Sequence, residues 1–179
     1  VSIVLDSEVN HLLNQLNEAI ISSFNNEWLS IWQNLDKQIN QTLEKSSAIQ
    51  NYSELSITKS ILDSIPNNGQ LFISNSMPIR DVDTTLTTNS KQFSLYGTRG
   101  INGIDGIISS AFGMTACNPE AWNGLIIGDI SFFHSMNGLA LGKNNRLPLT
   151  IFVINNDGGG IFSMLPQGAL PIELFESLF

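Results

Sequence analysis

The first quarter of the chain places apolar residues at the spacing of two amphipathic helices, over residues 11–24 and 27–43. Each predicted helix has one apolar stripe and therefore needs a partner to cover it. Trp28 and Trp32 lie one helical turn apart, which predicts that they share a packing face. The stripes contain Leu12, Leu16, Ile20, Trp28, Ile31, Leu35 and Ile39.

After residue 53 the pattern changes to short β-branched runs separated by helical segments and Gly-rich turns. Strands that alternate with helices at this spacing are typical of a parallel sheet covered on both faces. We therefore predict an α/β fold: a doubly wound parallel sheet in residues 50–179, preceded by a helical piece of a second domain in residues 1–49. Strands are predicted at 71–74, 93–96, 124–127 and 149–154, and helices at 54–65, from 78, at 104–117, at 132–141 and from 161.

Two loops with suitable chemistry for a metal each follow an apolar strand. They are Gly128-Asp129-Ile130-Ser131 and residues 155–160, Asn-Asn-Asp-Gly-Gly-Gly. The carboxyl ends of strands in such a sheet form the usual ligand crevice. One carboxylate from Asp129, the amide oxygen of Asn156 and glycine carbonyls suit a magnesium ion shared with a diphosphate. The alternative is structural: Asp129 as a helix cap and the two asparagines as a turn.

Charge and hydropathy narrow the possible partners. Lys and Arg number 8 against 16 Asp and Glu, so the formal net charge is −8. No basic stretch could neutralise a run of phosphates, and we expect no nucleic-acid partner. The apolar runs are much shorter than the roughly 20 residues that a membrane-spanning helix needs. With no targeting pattern at the first residues, we expect a cytoplasmic protein.

The two loops resemble the signature of the thiamin-diphosphate enzymes, Gly-Asp-x followed later by Asn-Asn. Two further blocks are Ser-Asn-Ser-Met-Pro-Ile-Arg-Asp at 74–81 and Arg-Gly-Ile-Asn-Gly-Ile-Asp-Gly at 99–106. With 128–132 and 155–162, they resemble in order the 2-succinyl-5-enolpyruvyl-6-hydroxy-3-cyclohexene-1-carboxylate synthases of menaquinone biosynthesis. The resemblance is close over 71–167. It is loose over the first fifty residues, which it assigns to the C-terminal part of a central domain.

The resemblance implies thiamin diphosphate and Mg²⁺ as cofactors, with Mn²⁺ as a possible substitute. Asp129, Asn156 and the carbonyl of Gly158 would bind the metal. Ile104 would be the bulky side chain that holds the cofactor bent, although its pattern fits simple helix packing equally well. The full set of implied cofactor-binding residues is Ser76, Ile104, Gly128, Asp129, Ile130, Ser131, Asn156, Gly158, Gly159, Gly160, Ile161 and Phe162.

The family's reaction is a decarboxylating carboligation between 2-oxoglutarate and isochorismate, which makes the enzyme a transferase. Arg80 and Arg99 follow predicted strands, and a guanidinium group binds carboxylates in bidentate fashion. The resemblance therefore implies that both arginines, with Ser76, bind substrate. The alternative for the arginines is surface ion pairing with Asp81, Asp83 or Asp105. Thr98 departs from the Asn that the family usually has before Arg-Gly.

The resemblance also implies a partner, because thiamin-diphosphate enzymes use a glutamate from a separate pyrimidine-binding domain. No segment of this sequence resembles that domain. We expect it to come from another subunit of a homodimer or homotetramer, and we expect the present chain, as a fragment ending within the diphosphate domain, to catalyse little alone. Two alternatives remain: an acetolactate-synthase-like thiamin-diphosphate enzyme, or a diphosphate-binding module without catalysis.

Overall fold

The computed structural model of the chain describes residues 6–19, 26–46, 51–86 and 91–178. The chain divides into two compact units, Val1–Thr42 and Leu43–Phe179. The first unit contains helix α1, Val9–Ala19, and most of helix α2, Asn26–Lys45. Both predicted helices are therefore present, and the end of the first prediction, residues 20–24, lies outside the described residues.

The predicted apolar stripe of α2 is exposed along its length. Trp28 and Trp32 contact each other, with their ring centroids 6.0 Å apart, as their spacing predicts. None of the residues of α2 is buried.

The second unit contains a four-stranded sheet in the order β2-β1-β3-β4, and each neighbouring pair of strands is parallel. This arrangement confirms the predicted parallel α/β fold. In chain order the elements are α3 (Glu54–Ser64), β1 (Gln70–Ile73), α4 (Met77–Thr85), β2 (Ser94–Gly97), α5 (Ile107–Cys117), β3 (Asn123–Gly128), α6 (Asp129–Ser135), α7 (Leu139–Asn145), β4 (Thr150–Ile154) and α8 (Ile172–Leu178), with 3₁₀ turns at Met136–Gly138, Gly160–Met164 and Pro166–Ala169.

The sheet divides the core into two apolar layers, and strand β3 contributes side chains to both. Ile126 packs on one face with Leu62 and other residues of α3 and α4, while Leu125 and Ile127 pack on the other face with residues of α5. All three β3 side chains are fully buried. A continuous apolar run is expected for a parallel strand with helices on both faces, and this explains why residues 125–127 do not alternate with polar ones.

The strand order fixes where a ligand site can form. The chain runs from β1 outward to β2, then crosses back over β1 to β3 and continues to β4. The direction of winding therefore reverses between β1 and β3, and the crevice outside the carboxyl ends of these strands is the usual binding site in open parallel sheets. Residues after β1, β3 and β4 open onto this edge.

Three predicted helix boundaries are wrong. The helix predicted from 104 begins at Ile107, because Gly106, with φ +67°, adopts a left-handed conformation that ends the preceding turn. The helix predicted over 132–141 begins at Asp129 and is interrupted by a 3₁₀ turn at Met136–Gly138 before α7. The helix predicted to open near 161 is a short 3₁₀ turn, Gly160–Met164.

Candidate functional site

A cavity of about 160 Å³ lies at the carboxyl edge of the sheet. Its walls include every residue that the sequence predicts to bind the cofactor, so the structure brings that whole set together. Four further residues line the cavity without having been predicted. These are Glu54, Met77, Pro78 and Ile154.

Asp129 connects the two predicted metal-binding loops. One carboxylate oxygen, Oδ2, accepts a hydrogen bond of 3.0 Å from the backbone N–H of Gly158, and Oδ1 accepts one of 2.8 Å from the N–H of Ile130. The N-cap position of α6 belongs to Gly128, which makes no side-chain cap bond. Asp129 is therefore not the helix cap that the structural alternative required. An ionised carboxylate has about four lone-pair sites, so these two bonds leave capacity for a metal.

The loop after β4 turns sharply, and the side chains of its two asparagines have different roles. The side-chain oxygen of Asn155 accepts a hydrogen bond of 3.1 Å from the N–H of Asp157, an Asx turn of the kind that the structural alternative predicts. Gly158 follows with φ +124°, a conformation that L side chains rarely adopt. Asn156 is the middle residue of that turn, but its side chain takes no part in the turn's hydrogen bond and lines the cavity instead.

The amide of Asn156 is held from two sides. Its Nδ2 donates a hydrogen bond of 2.9 Å to Oε1 of Glu54, a residue 102 positions earlier in the chain. A Cβ atom at Gly160 would lie 2.6 Å from the same Nδ2, so only glycine leaves the amide its space. Sequence reasoning missed Glu54, and the one local signal is its place directly after Ser53, the N-cap of α3.

The turn after β1 carries Ser76 in an unusual backbone conformation, φ +72° and ψ −132°. Non-glycine residues with positive φ are uncommon and store strain of about 1–3 kcal/mol. The guanidinium of Arg80 donates a hydrogen bond of 2.5 Å from Nη1 to the carbonyl oxygen of Ser76, which holds the strained turn from the first turn of α4. Ser76 lines the cavity.

Arg80 and Arg99 do not line that cavity. Both face a neighbouring depression of about 440 Å³ that also includes Leu95 and Tyr96 of the edge strand β2. Among the described residues neither arginine forms an ion pair, whereas Lys59 pairs with Asp63. The predicted alternative of surface ion pairing is therefore not observed.

Asn75 links the loop of Arg99 to the strand end. This residue is only 2% exposed, and its Oδ1 accepts a hydrogen bond of 2.8 Å from Nη1 of Arg99. Its Nδ2 donates to the carbonyl and hydroxyl oxygens of Thr98, at 3.1 and 3.2 Å, and to the carbonyl of Gly103 at 2.5 Å. Thr98, the departure from the family pattern, thus takes part in the network that positions Arg99.

Asp81 is a buried acid beside this site. It is 3% exposed, and its Oδ2 has no hydrogen-bond partner in the part of the chain that the structure describes. Burial, and to a smaller extent the negative charge of Glu54, raises the pKa of Asp81 from its ordinary 3.8 to about 6. Together with Glu54, Arg80 and Asn156, Asp81 lines a cavity of about 490 Å³ next to the first one.

The described ranges 6–19, 26–46, 51–86 and 91–178 contain no cluster of three or more His, Cys, Asp and Glu side chains that could hold a metal. A cation at Asp129 would therefore need neutral protein oxygens and oxygens from a ligand, which is a common arrangement for Mg²⁺ bound with phosphates. In the same ranges no helix is long and apolar enough to cross a membrane.

Comparison with known proteins identifies the class. Residues 85–169 match the model of the thiamine pyrophosphate enzyme family, C-terminal TPP binding domain. This match covers the strand-end loops after β3 and β4. Over these residues the chain is similar to the TPP binding domain of the thiamine pyrophosphate enzymes, and the predicted resemblance and the predicted cofactor-binding fold are confirmed.

Curated relatives narrow the comparison to one kind of enzyme. The chain is 47% identical over 155 residues to the 2-succinyl-5-enolpyruvyl-6-hydroxy-3-cyclohexene-1-carboxylate synthase of Bacillus cytotoxicus, covering 86% of this chain and 26% of that protein. It is 45% identical over 152 residues to the synthase of the same name from Enterococcus faecalis, covering 85% and 26%. It is 40% identical over 166 residues to the synthase of Staphylococcus haemolyticus, covering 93% of this chain and 28% of that protein. The chain thus spans about a quarter of the length of these relatives.

Proposed function

We propose that this chain is the diphosphate-binding and magnesium-binding part of a thiamin-diphosphate-dependent 2-succinyl-5-enolpyruvyl-6-hydroxy-3-cyclohexene-1-carboxylate synthase. The enzyme is a transferase that joins 2-oxoglutarate to isochorismate, with loss of carbon dioxide, in menaquinone biosynthesis. The observation that carries the proposal is the single cavity lined by both family loops, in a chain 40–47% identical to synthases of that name.

The residues present fit a magnesium diphosphate. Asp129 offers a carboxylate, Asn156 an amide oxygen and Gly158 a backbone carbonyl, and all three line one cavity. The N–H of Gly158 already bonds to the Asp129 carboxylate, so two of these ligand residues are held together before any metal binds. The donor set is hard, oxygen-only and low in charge, which would suit Mg²⁺ or Mn²⁺ bound together with phosphates better than an all-protein calcium site.

The remaining residues of the cavity divide between the two ends of the cofactor. Ser131, Gly159 and Gly160 would hold the diphosphate through hydroxyl and backbone groups, with Gly128 leaving room for close approach. Ile130, Ile161 and Phe162 would cover the ring. Ile104 precedes α5 and projects from a turn into the cavity wall, so it is available as the wedge that bends the cofactor.

When bound, thiamin diphosphate supplies the electron sink for decarboxylation and for the new carbon–carbon bond. The protein's own contribution is positioning and charge. Arg80 and Arg99 would bind the substrate carboxylates, since each has guanidinium N–H groups beyond the one donated to the protein. Ser76 would contact substrate and cofactor from its strained turn.

The proposal includes the rest of the enzyme. A pyrimidine-binding domain of another subunit would complete the site, within a homodimer or homotetramer in the cytoplasm. It would hold the aminopyrimidine end of the cofactor.

The test is calorimetric titration of the full-length protein with thiamin diphosphate, with and without Mg²⁺. We expect binding to require the metal and to be lost in Asp129→Ala, but not in the control Glu120→Ala, which changes an exposed acid outside the cavity. Unchanged binding by Asp129→Ala would show that the metal assignment is wrong. Product formation from isochorismate with 2-oxoglutarate, but not with pyruvate, tests the substrate assignment independently.

A further inference from the structure

The side chain of Asn156 has two chemically different ends, and only one can bind a metal. The amide oxygen is a ligand, whereas the amide N–H₂ group repels a cation. A 180° rotation of the amide exchanges the two ends with almost no change in shape, so packing alone cannot select the correct orientation. A hydrogen-bond partner that is selective for one end is needed.

Glu54 provides that selectivity. An ionised carboxylate can accept hydrogen bonds but cannot donate them, so it pairs only with the N–H₂ end of the amide. The observed bond, 2.9 Å from Nδ2 of Asn156 to Oε1 of Glu54, uses this end and leaves the amide oxygen available. The close approach of Gly160 to the same amide restricts it on another side.

The position of Glu54 is itself fixed by its helix. Ser53 and Ser56 form a reciprocal capping box, in which the Ser53 side chain accepts from the N–H of Ser56 at 3.1 Å and the Ser56 hydroxyl accepts from the N–H of Ser53 at 2.9 Å. These bonds order the backbone on both sides of Glu54. An acid in the first turn is also favourable for the helix dipole.

We propose that Glu54 is a positioning residue that orients Asn156 as a ligand of the diphosphate-bound magnesium. This inference rests on the proposed function, because it needs a metal at Asp129 and Asn156. Partners that orient metal ligands in this way typically change metal affinity by 10–100-fold when removed. The helix before β1 would thus set the metal affinity of a loop that follows β4.

The experiment measures Mn²⁺ binding to the full-length protein by electron paramagnetic resonance, in the presence of thiamin diphosphate. We expect Glu54→Ala to weaken Mn²⁺ binding by about 10–100-fold. Glu54→Gln should weaken it less, because a glutamine can still accept from Nδ2 but can also donate to the wrong end. The matched control is Glu173→Gln, which changes an acid in the first turn of another helix, α8, and should bind Mn²⁺ normally.

A second pair of variants tests whether Glu54 orients the Asn156 amide or only stabilises the fold. Asn156→Asp places two carboxylates at a contact distance that is now 2.9 Å, so it should bind Mn²⁺ poorly. Adding Glu54→Gln gives the pair one donor and one acceptor again, and the double variant should bind Mn²⁺ more tightly than Asn156→Asp alone. If Glu54 has a purely structural role, the double variant should instead lose Mn²⁺ affinity by the sum of the losses of the two single variants.

The outcomes distinguish this inference from the proposed function. If Asp129→Ala abolishes Mn²⁺ binding while Glu54→Ala binds within about twofold of the native protein, the metal site stands and the role of Glu54 is overturned. Failure of the double variant to improve on Asn156→Asp overturns it as well. If Asp129→Ala binds Mn²⁺ normally, the proposed metal site itself is wrong, and the inference falls with it.

Discussion

Asp81 allows a prediction about stability in which both the sign and the size follow from one carboxyl group. Its pKa is raised from 3.8 to about 6, first by burial and second by Glu54. Because the folded-state pKa lies above the unfolded one, the native protein binds the Asp81 proton more tightly. Stability is therefore greatest while the group is protonated, below about pH 4, and is lost as the pH rises through about 6.

The magnitude comes from the difference in pKa at about 1.4 kcal/mol for each pH unit. Between pH 4 and pH 7 the ionisation of Asp81 should lower the free energy of unfolding by about 2 kcal/mol. Asp81→Asn removes this contribution, since an amide does not titrate. Any cost of burying the new amide is the same at all pH values, so it cancels when the two pH values are compared.

The assay is urea unfolding of native protein and variants at pH values from 4 to 7, followed by circular dichroism. At each pH we compare the free energy of unfolding of Asp81→Asn with that of the native protein. This difference should shift by about 2 kcal/mol in favour of the variant between pH 4 and pH 7. The control Asp83→Asn changes an exposed acid on the same helix and should follow the native pH dependence. If native protein and Asp81→Asn lose stability in parallel over this range, the burial argument is refuted.

Other features give shorter predictions. Gly142→Val should lower the free energy of unfolding by about 1–3 kcal/mol in a denaturation experiment, because a Cβ there would overlap the ring of Phe112. Gly113→Ala, in α5 with open space around it, should raise it by up to about 1 kcal/mol, and a decrease would contradict this. Arg99→Lys should raise the KM of a carboxylate substrate by about tenfold in steady-state kinetics, since Lys lacks the bidentate fork. Removing the metal with a chelator should release thiamin diphosphate, and Mg²⁺ or Mn²⁺ should restore binding; retention without metal would contradict the site.

The sequence predicted the features that depend on neighbouring residues. A run such as residues 125–127 is apolar because both faces of its strand are covered, so the strand and the loop after it were visible in the pattern. Since strands in a parallel sheet end at the same edge, the loops of Asp129 and Asn156 were expected to meet, and they do meet in one cavity.

Features that depend on distant contacts or single backbone angles were not predictable in this way. The bond between Glu54 and Asn156 crosses 102 positions, and no periodic pattern connects them. Ile104 precedes its helix because of one left-handed residue, Gly106. The burial of Asp81 was hidden because its neighbours include Arg80 and Asp83, which suggested a solvated surface.

Asn75 holds both ends of the segment from Thr98 to Gly103 through one side chain. One buried amide bonds to Thr98 at its beginning, to Arg99 beside it and to Gly103 at its end, immediately before Ile104. In the proposed enzyme, Arg99, which would recognise a substrate acid, and the residue directly before Ile104, which would bend the cofactor, are therefore anchored on the same side chain. Evolution could not readily adjust one without disturbing the other, so changes of substrate preference in such enzymes should arise together with compensating changes at Asn75 or Thr98.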